Sequence, residues 1–67
     1  MNELLIWSDG VQYLCTWRGP HASEIRDLFG TDTLPTPWLA NADPEVVRDD
    51  IAKHNAECVV RLAGAAR

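Results

Sequence analysis

Two cysteines and two histidines are the side chains of this sequence best suited to chemistry, because together they have the composition of a structural zinc site. They are Cys15, His21, His54 and Cys58. Their spacing is unfavourable: His54 and Cys58 share a helix face only if a helix continues that far, and no C-x-x-C pair is present to anchor a metal. We therefore expect no metal and no cofactor, with Cys15 and Cys58 as small, reduced core residues.

The sequence does not indicate a catalytic site. His21 and His54 are available as general bases. However, no Ser or Cys lies in a recognisable nucleophile motif, and no glycine-rich phosphate loop is present. A chain of 67 residues also has little room for a closed pocket. We predict that the protein is not an enzyme, and a small metal-binding or catalytic module is the least favoured alternative.

An acidic segment, DPEVVRDD at residues 43–50, is a stronger candidate for function. Its beginning has a structural explanation. Asp43 followed by Pro44 predicts a helix start, with the carboxylate as N-cap and proline at the first helical position. Glu45 is favoured in the first turn by the helix dipole. Local structure therefore accounts for two of the four acids.

The other two acids of this segment, Asp49 and Asp50, have weaker structural reasons for their positions, although Asp49 can pair with Lys53 one turn later. Acids without a role in folding are free to meet a positively charged surface. We therefore predict Asp49 and Asp50, together with Glu45, as residues that contact a partner.

The overall charge limits the class of partner. Six basic and ten acidic residues give a net charge of −4, which argues against direct binding of nucleic acid and favours a basic protein surface. No apolar run approaches the roughly 18 residues of a membrane helix, and Met1-Asn2-Glu3 does not resemble a secretory signal. We expect a cytoplasmic protein that does not enter a membrane.

The first 17 residues predict a β-hairpin, since two runs rich in apolar and aromatic residues flank Asp9-Gly10, a dipeptide favoured in type I′ turns. With those two residues as the loop, Ser8 lies opposite Val11. The inner face, which packs on the helices, then carries six residues: Leu4, Ile6, Val11, Tyr13, Cys15 and Trp17.

The other face of this hairpin is unusually apolar, because Leu5, Trp7 and Leu14 lie close together on it. A hydrophobic core this small usually needs a further source of stability, such as a partner chain. We therefore predict that these three residues contact a second copy of the chain or a different protein.

The rest of the chain supplies two helices and a third strand. A helix is expected over residues 21–30, with His21 or Ser23 as its cap and Ile25, Leu28 and Phe29 on its apolar stripe. An irregular connector with two prolines follows at 31–42. The second helix starts at Pro44 and places Val47, Ile51 and His54 on one face. Residues 57–62 then alternate as a strand, with Cys58, Val60 and Leu62 inward.

These elements predict a single α+β domain over residues 1–67, in the order ββααβ, with 63–67 as a frayed tail and the helices on one face of a three-stranded sheet. The favoured function is a small acidic protein-binding module. Its most specific form is a phage or mobile-element inhibitor, such as those that block host nucleases or CRISPR complexes by occupying a nucleic-acid-binding surface. The alternative is a homo-oligomeric structural or accessory subunit of a larger assembly.

Overall fold

The computed structural model describes residues 1–63, which form four strands and two helices. In chain order these are β1 (Glu3–Ser8), β2 (Gln12–Arg18), α1 (Pro20–Phe29), β3 (Thr33–Leu39), α2 (Pro44–His54) and β4 (Val59–Leu62). The sheet has the strand order β3-β2-β1-β4. It is mixed, because β4 runs parallel to β1 whereas the other pairs are antiparallel. The predicted α+β class is confirmed, with one strand more than expected.

The additional strand is β3, and the prediction of an irregular connector over residues 31–42 was wrong. Proline removes a backbone donor, so it is tolerated in a sheet mainly on an edge strand. Pro35 and Pro37 lie on such a strand, since β3 pairs with β2 on one side only within residues 1–63. Where the pairing register shifts, the Thr36 hydroxyl donates to the Tyr13 carbonyl (2.8 Å) and accepts from the Trp38 N–H (3.1 Å). The element order is therefore ββαβαβ.

The hairpin register also differs from the prediction, by two residues. Ser8 lies opposite Tyr13 rather than Val11, and Ile6 lies opposite Cys15. A shift of two residues preserves the alternation of the strands, so the remaining inner-face residues were predicted on the correct side. Val11 is the exception, because it leaves the strand and is 71% exposed.

The turn itself explains this shift. Its central residues are Gly10 and Val11, because the Asp9 N–H donates to the Gln12 carbonyl at 3.1 Å. The Asp9 carboxylate accepts from the backbone N–H groups of Val11 (2.8 Å) and Gln12 (2.9 Å). Gly10 has φ of 97°, whereas Val11 has a negative φ. This pattern fits a type II′ turn, since type I′ requires positive φ at both central positions.

The core lies between the inner face of the sheet and α2. Its buried residues are Leu4, Ile6, Tyr13, Cys15, Val47 and Ile51. The strand predicted over 57–62 begins at Val59, but its three predicted inward residues, Cys58, Val60 and Leu62, do pack against this cluster, as does Trp17 of β2. These placements confirm the sequence prediction for both strands. The Tyr13 hydroxyl donates to the Ala42 carbonyl (3.1 Å), which fastens the segment before α2 to the core.

Helix α1 begins one residue before the predicted range and has a cap from a distant part of the chain. Neither His21 nor Ser23 acts as the cap. The N-cap residue is Gly19, which makes no side-chain cap bond, and the Asn2 side-chain oxygen accepts from the His21 N–H at 2.8 Å. The helix ends at Phe29, and Gly30 is its C-terminal stop as expected, with the Gly30 N–H bonded to the Arg26 carbonyl.

The apolar stripe predicted for α1 was only partly right. Ile25 is buried together with Ala22. Leu28 and Phe29 are 75% and 58% exposed. The buried pair lies outside the main core cluster, and α1 packs mainly against β2. Of the two helices, it is therefore α2 that covers the principal core.

Helix α2 confirms the interpretation of its start. The Asp43 carboxylate accepts from the Glu45 N–H at 2.9 Å, Pro44 is the first helical residue, and Val47 and Ile51 are buried as predicted. His54 does not share their environment, because its side chain is 70% exposed and its Nδ1 lies 2.9 Å from the Asp50 carbonyl oxygen.

The end of the described chain continues the sheet. The Ala63 N–H donates to the Ile6 carbonyl at 2.8 Å. Ala63 is thus hydrogen-bonded and not frayed, and the remainder of the predicted tail, 64–67, lies outside the described residues.

Candidate interaction surface

The four potential zinc ligands occupy unrelated positions. Cys15 is in the core, where burial raises the pKa of its thiol to about 11. The pKa of the half-buried Cys58 is also raised, first by desolvation and then by the nearby charge of Glu57. His21 Nδ1 lies 3.2 Å from a Glu24 carboxylate oxygen. Throughout residues 1–63, no three His, Cys, Asp or Glu side chains are grouped so that they could hold a metal ion.

The arginine within the acidic segment pairs with two of its acids. Arg48 lies between two of the predicted contact residues, with its Nη2 2.7 Å from Glu45 Oε1 and 3.2 Å from Asp49 Oδ1. Asp49 therefore pairs with Arg48 and not with Lys53. Because one guanidinium pairs with two carboxylates, the outer side of α2 has a weaker negative potential than a row of unpaired acids would have.

Asp50 has a structural role that sequence reasoning missed. It is half-buried and accepts a hydrogen bond from the Trp38 indole N–H at 3.4 Å. It also lies 3.9 Å from His54 Nδ1. This contact joins α2 to β3, an element that the sequence analysis did not predict, so no sequence pattern pointed to it. Asp50 is consequently a weaker candidate for partner contact than the sequence suggested.

The roles of two acids in α2 can be separated by mutation. Asp43→Ala should lower the free energy of unfolding by about 1 kcal/mol, because it removes the N-cap acceptor. Asp49→Asn should change it by less than about 0.5 kcal/mol, since only an exposed ion pair is lost. Urea denaturation of both variants measures the difference, and equal losses would contradict the assignment of Asp43 as a cap.

The predicted apolar residues of the hairpin do lie together on the other side of the sheet from α2. We call this surface the outer sheet face and define it by Leu5, Trp7 and Leu14. Trp7 lies directly opposite Leu14. All three are half-buried, and none belongs to the core cluster or packs against it.

A polar network fixes the orientation of Trp7 on this face. The Trp7 indole N–H donates to the Thr16 hydroxyl at 2.9 Å, and the Thr16 and Thr33 hydroxyls are also 2.9 Å apart. The network crosses three strands. It holds the indole against the sheet in one orientation, and the ring stays partly accessible for contact because Trp7 is not fully buried.

Exposed apolar side chains extend the outer sheet face toward both edges. Val59 of β4 pairs with Glu3 and is 43% exposed, and Leu39 of β3 pairs with Gln12 and is 61% exposed. Arg61 follows Val59 on the same side of β4 and forms an ion pair with Glu3 at 2.8 Å. The apolar centre is thus bordered by polar groups, as in protein interfaces.

A small pocket opens where the parallel strands β1 and β4 end. It has a volume of about 260 Å³ and lies between Ile6, Tyr13, Pro44 and Leu62. Ligand pockets usually measure roughly 300 to 1,000 Å³, so this one is at or below the lower limit. Its walls come from four different elements, which is why no local pattern in the sequence indicated it.

Comparison with known proteins identifies no relative: no family model, no curated protein and no solved structure matches this chain. Among the residues that the structure describes, neither helix has the length and apolar character needed to cross a membrane. The function is therefore inferred from the surface alone.

Proposed function

We propose that this protein is a small protein-binding module that holds its partner on the outer sheet face. The observation that carries the proposal is the cluster of Leu5, Trp7 and Leu14, which is apolar and only partly buried on the side of the sheet away from α2. Neighbouring apolar side chains that a domain leaves partly uncovered are a typical feature of sites of protein interaction.

The fixed orientation of Trp7 supports this assignment. Tryptophan is among the residues that contribute most to binding energy at protein interfaces. A side chain that is already ordered loses less conformational entropy when a partner covers it. The hydrogen bond from Trp7 to Thr16 supplies this order before binding, so Trp7 serves as the central anchor.

The charge of the chain favours a basic partner. The net charge is −4. At the tip of the hairpin, backbone hydrogen bonds from Gln12 and Val11 lower the pKa of the Asp9 carboxyl group, which keeps it ionised. Opposite charges increase the rate of association and improve selectivity more than they increase affinity. The partner is therefore a protein whose apolar patch lies within a positively charged surface.

The more specific form of the proposal is an inhibitor from a phage or mobile element that occupies a nucleic-acid-binding surface of a host complex. Its support is the acidic composition, since a surface that binds nucleic acid carries the complementary charge. In that form, Asp49 and Glu45 contribute at the margin of the contact, because both carboxylates are exposed although they share Arg48.

The test compares an outer-face variant with a matched surface control. A partner is first isolated on immobilised wild-type protein from cells of the source organism, then purified and titrated by calorimetry. Leu14→Thr, which retains a strand-forming residue, should weaken binding by about tenfold to a hundredfold through the loss of apolar contact. Leu28→Gln alters an exposed leucine on α1 and should leave the affinity unchanged.

Salt provides the second measurement for this proposal. The affinity of the wild type should fall between 0.1 M and 1 M salt, because the Debye length falls from about 10 Å to about 3 Å. A partner that binds Leu14→Thr as tightly as the wild type would rule out the outer sheet face as the binding site.

A further inference from the structure

The pocket where β1 and β4 end reaches from the core to the solvent. Among its lining residues, Ile6 and Tyr13 are buried, whereas Pro44 and Ala63 are exposed. It lies at the carboxyl ends of two parallel strands, since Ile6 pairs with Leu62 near the end of each. In open sheets with parallel strands, ligands commonly bind at this end. The pocket is therefore a candidate binding site.

The polar groups in the wall of this pocket already have partners within the chain. The Ser8 side-chain oxygen accepts from the Gly10 N–H at 3.1 Å. The Tyr13 hydroxyl donates to the Ala42 carbonyl at 3.1 Å. The rest of the wall is apolar, with Leu62 on one side. A ligand without hydrogen-bonding groups therefore matches the pocket, because it brings no polar atom that would be buried unpaired.

The wall also disfavours a charged ligand. Within residues 1–63, no acidic, basic or histidine side chain lines the pocket. Helix α2 begins there with Pro44, and a helix N-terminus attracts anions. At this N-terminus, however, the Asp43 carboxylate already accepts from the Glu45 N–H at 2.9 Å and repels a second negative group. The ligand that fits is therefore uncharged.

The volume of the pocket suits a single aromatic side chain. A dry apolar cavity of about 150 Å³ holds benzene. This pocket has about 260 Å³, which leaves room for the atoms that join such a ring to a peptide chain, or for a second fused ring. Sites for drug-sized ligands begin at roughly 300 Å³. In size and polarity, the matching group is thus a phenyl or an indole ring.

We propose that this pocket receives one phenylalanine or tryptophan side chain of the protein that covers the outer sheet face. Trp7 belongs both to that face and to the wall of the pocket, so one partner contacts the two together. Aromatic anchors that fill pockets are typical of the residues that dominate binding energy. This inference rests on the proposed function, because the same partner supplies the ring.

The exposed rim of the pocket favours a partner side chain over a free molecule. Sites for small ligands bury about 70 to 90% of the ligand surface. Pro44 and Ala63 are exposed where the pocket opens, so a free ring would stay in contact with water. A partner protein closes this opening with its own surface and completes the burial of the ring.

The pocket can be tested without the partner, by titration of N-acetyl-phenylalanine amide into the wild-type protein. The methyl NMR signals of Ile6 and Leu62 should shift upfield, because an aromatic ring then lies against them, with a Kd of about 1 mM. N-acetyl-alanine amide should cause no such shift. Unchanged methyl signals would overturn the inference. A Kd below about 10 μM would make a free aromatic molecule the occupant and overturn the assignment to a partner side chain.

Two substitutions of one residue provide a matched pair of variants. Ser8→Phe places a ring of the chain itself in the pocket, whereas Ser8→Ala removes the same hydroxyl group and leaves the pocket open. Ser8→Phe should abolish the methyl shifts that the probe causes, and Ser8→Ala should retain them. Circular dichroism confirms that both variants are folded. Equal shifts in the two variants would place the probe outside this pocket and overturn the inference.

Binding of the purified partner then separates this inference from the proposed function. Ser8→Phe should bind the partner about tenfold to a hundredfold more weakly than Ser8→Ala, because the partner's ring is excluded. If the two variants bind equally while Leu14→Thr binds weakly, the outer sheet face is the site and the pocket inference is wrong. If only Ser8→Phe binds weakly, the pocket holds the partner and the outer sheet face is ruled out.

Discussion

Leu4→Ala is expected to lower the free energy of unfolding by about 2 to 5 kcal/mol, the range for truncation of a fully buried leucine. Leu4 has 0% exposure and lies between Trp17 of β2 and Val60 of β4. The cavity cannot collapse easily, because strands border it on both sides. Since a core of this size supplies roughly 3 to 5 kcal/mol in total, a loss in this range removes much or all of the stability of the protein.

Val11→Ala is the matched control for this substitution. The sequence predicted Val11 on the inner face, opposite Ser8, whereas the structure places it in the hairpin turn with 71% exposure. Its truncation should change the unfolding free energy by less than about 0.5 kcal/mol. Guanidinium titration followed by tryptophan fluorescence measures both variants. If both variants lost a similar amount of unfolding free energy, Val11 would have to be buried, as the sequence predicted, and the observed turn would be contradicted.

Gly19→Ala is expected to have the second large effect, a loss of about 2 to 6 kcal/mol in the free energy of unfolding. Gly19 has φ of 100°, which an L side chain rarely adopts. A Cβ at this position would also collide with the backbone carbonyl of Met1 and lie 3.2 Å from the Asn2 Cα. The strain and the displacement of the backbone each cost about 1 to 3 kcal/mol.

Gly10→Ala separates the two contributions at Gly19. Gly10 has a similar φ of 97°, but a Cβ there would meet no atom within 4 Å. Its replacement should cost about 1 to 2 kcal/mol from backbone strain alone. Thermal unfolding of both variants gives the comparison. If Gly10→Ala were as damaging as Gly19→Ala, the close approach of the Met1 and Asn2 backbone would have no energetic consequence.

This close approach also explains how α1 is attached to the sheet. Asn2 caps the helix through the His21 N–H, and the backbone that precedes β1 passes directly beside Gly19. The two contacts join segments 17 or more residues apart in the chain. Sequence patterns describe helix caps through neighbouring residues, so this cap had no local signal.

The periodicity of apolar residues and the local chemistry of single positions in the sequence determined which face of each helix or strand is buried. Alternation placed Leu4, Ile6, Tyr13 and Cys15 inward and Leu5, Trp7 and Leu14 outward, and the structure confirms both sets. Asp43 followed by Pro44 predicted the start of α2 correctly, because an N-cap acts within its own first turn. These features depend on residues within a few positions of one another, and their physical causes are local.

Tertiary structure alone decided which strands pair and in which register. A segment with Pro35 and Pro37 becomes β3 only because it lies at an edge, where missing donors cost little. The hairpin shifted by two residues, a change that side-chain alternation cannot detect, because hydrogen bonds to the Asp9 carboxylate and the φ of Gly10 set the turn. Asp50 has a structural role only because the fold places Trp38 of β3 within hydrogen-bond distance of it. Such contacts depend on the relative positions of distant segments, which no local pattern in the sequence specifies.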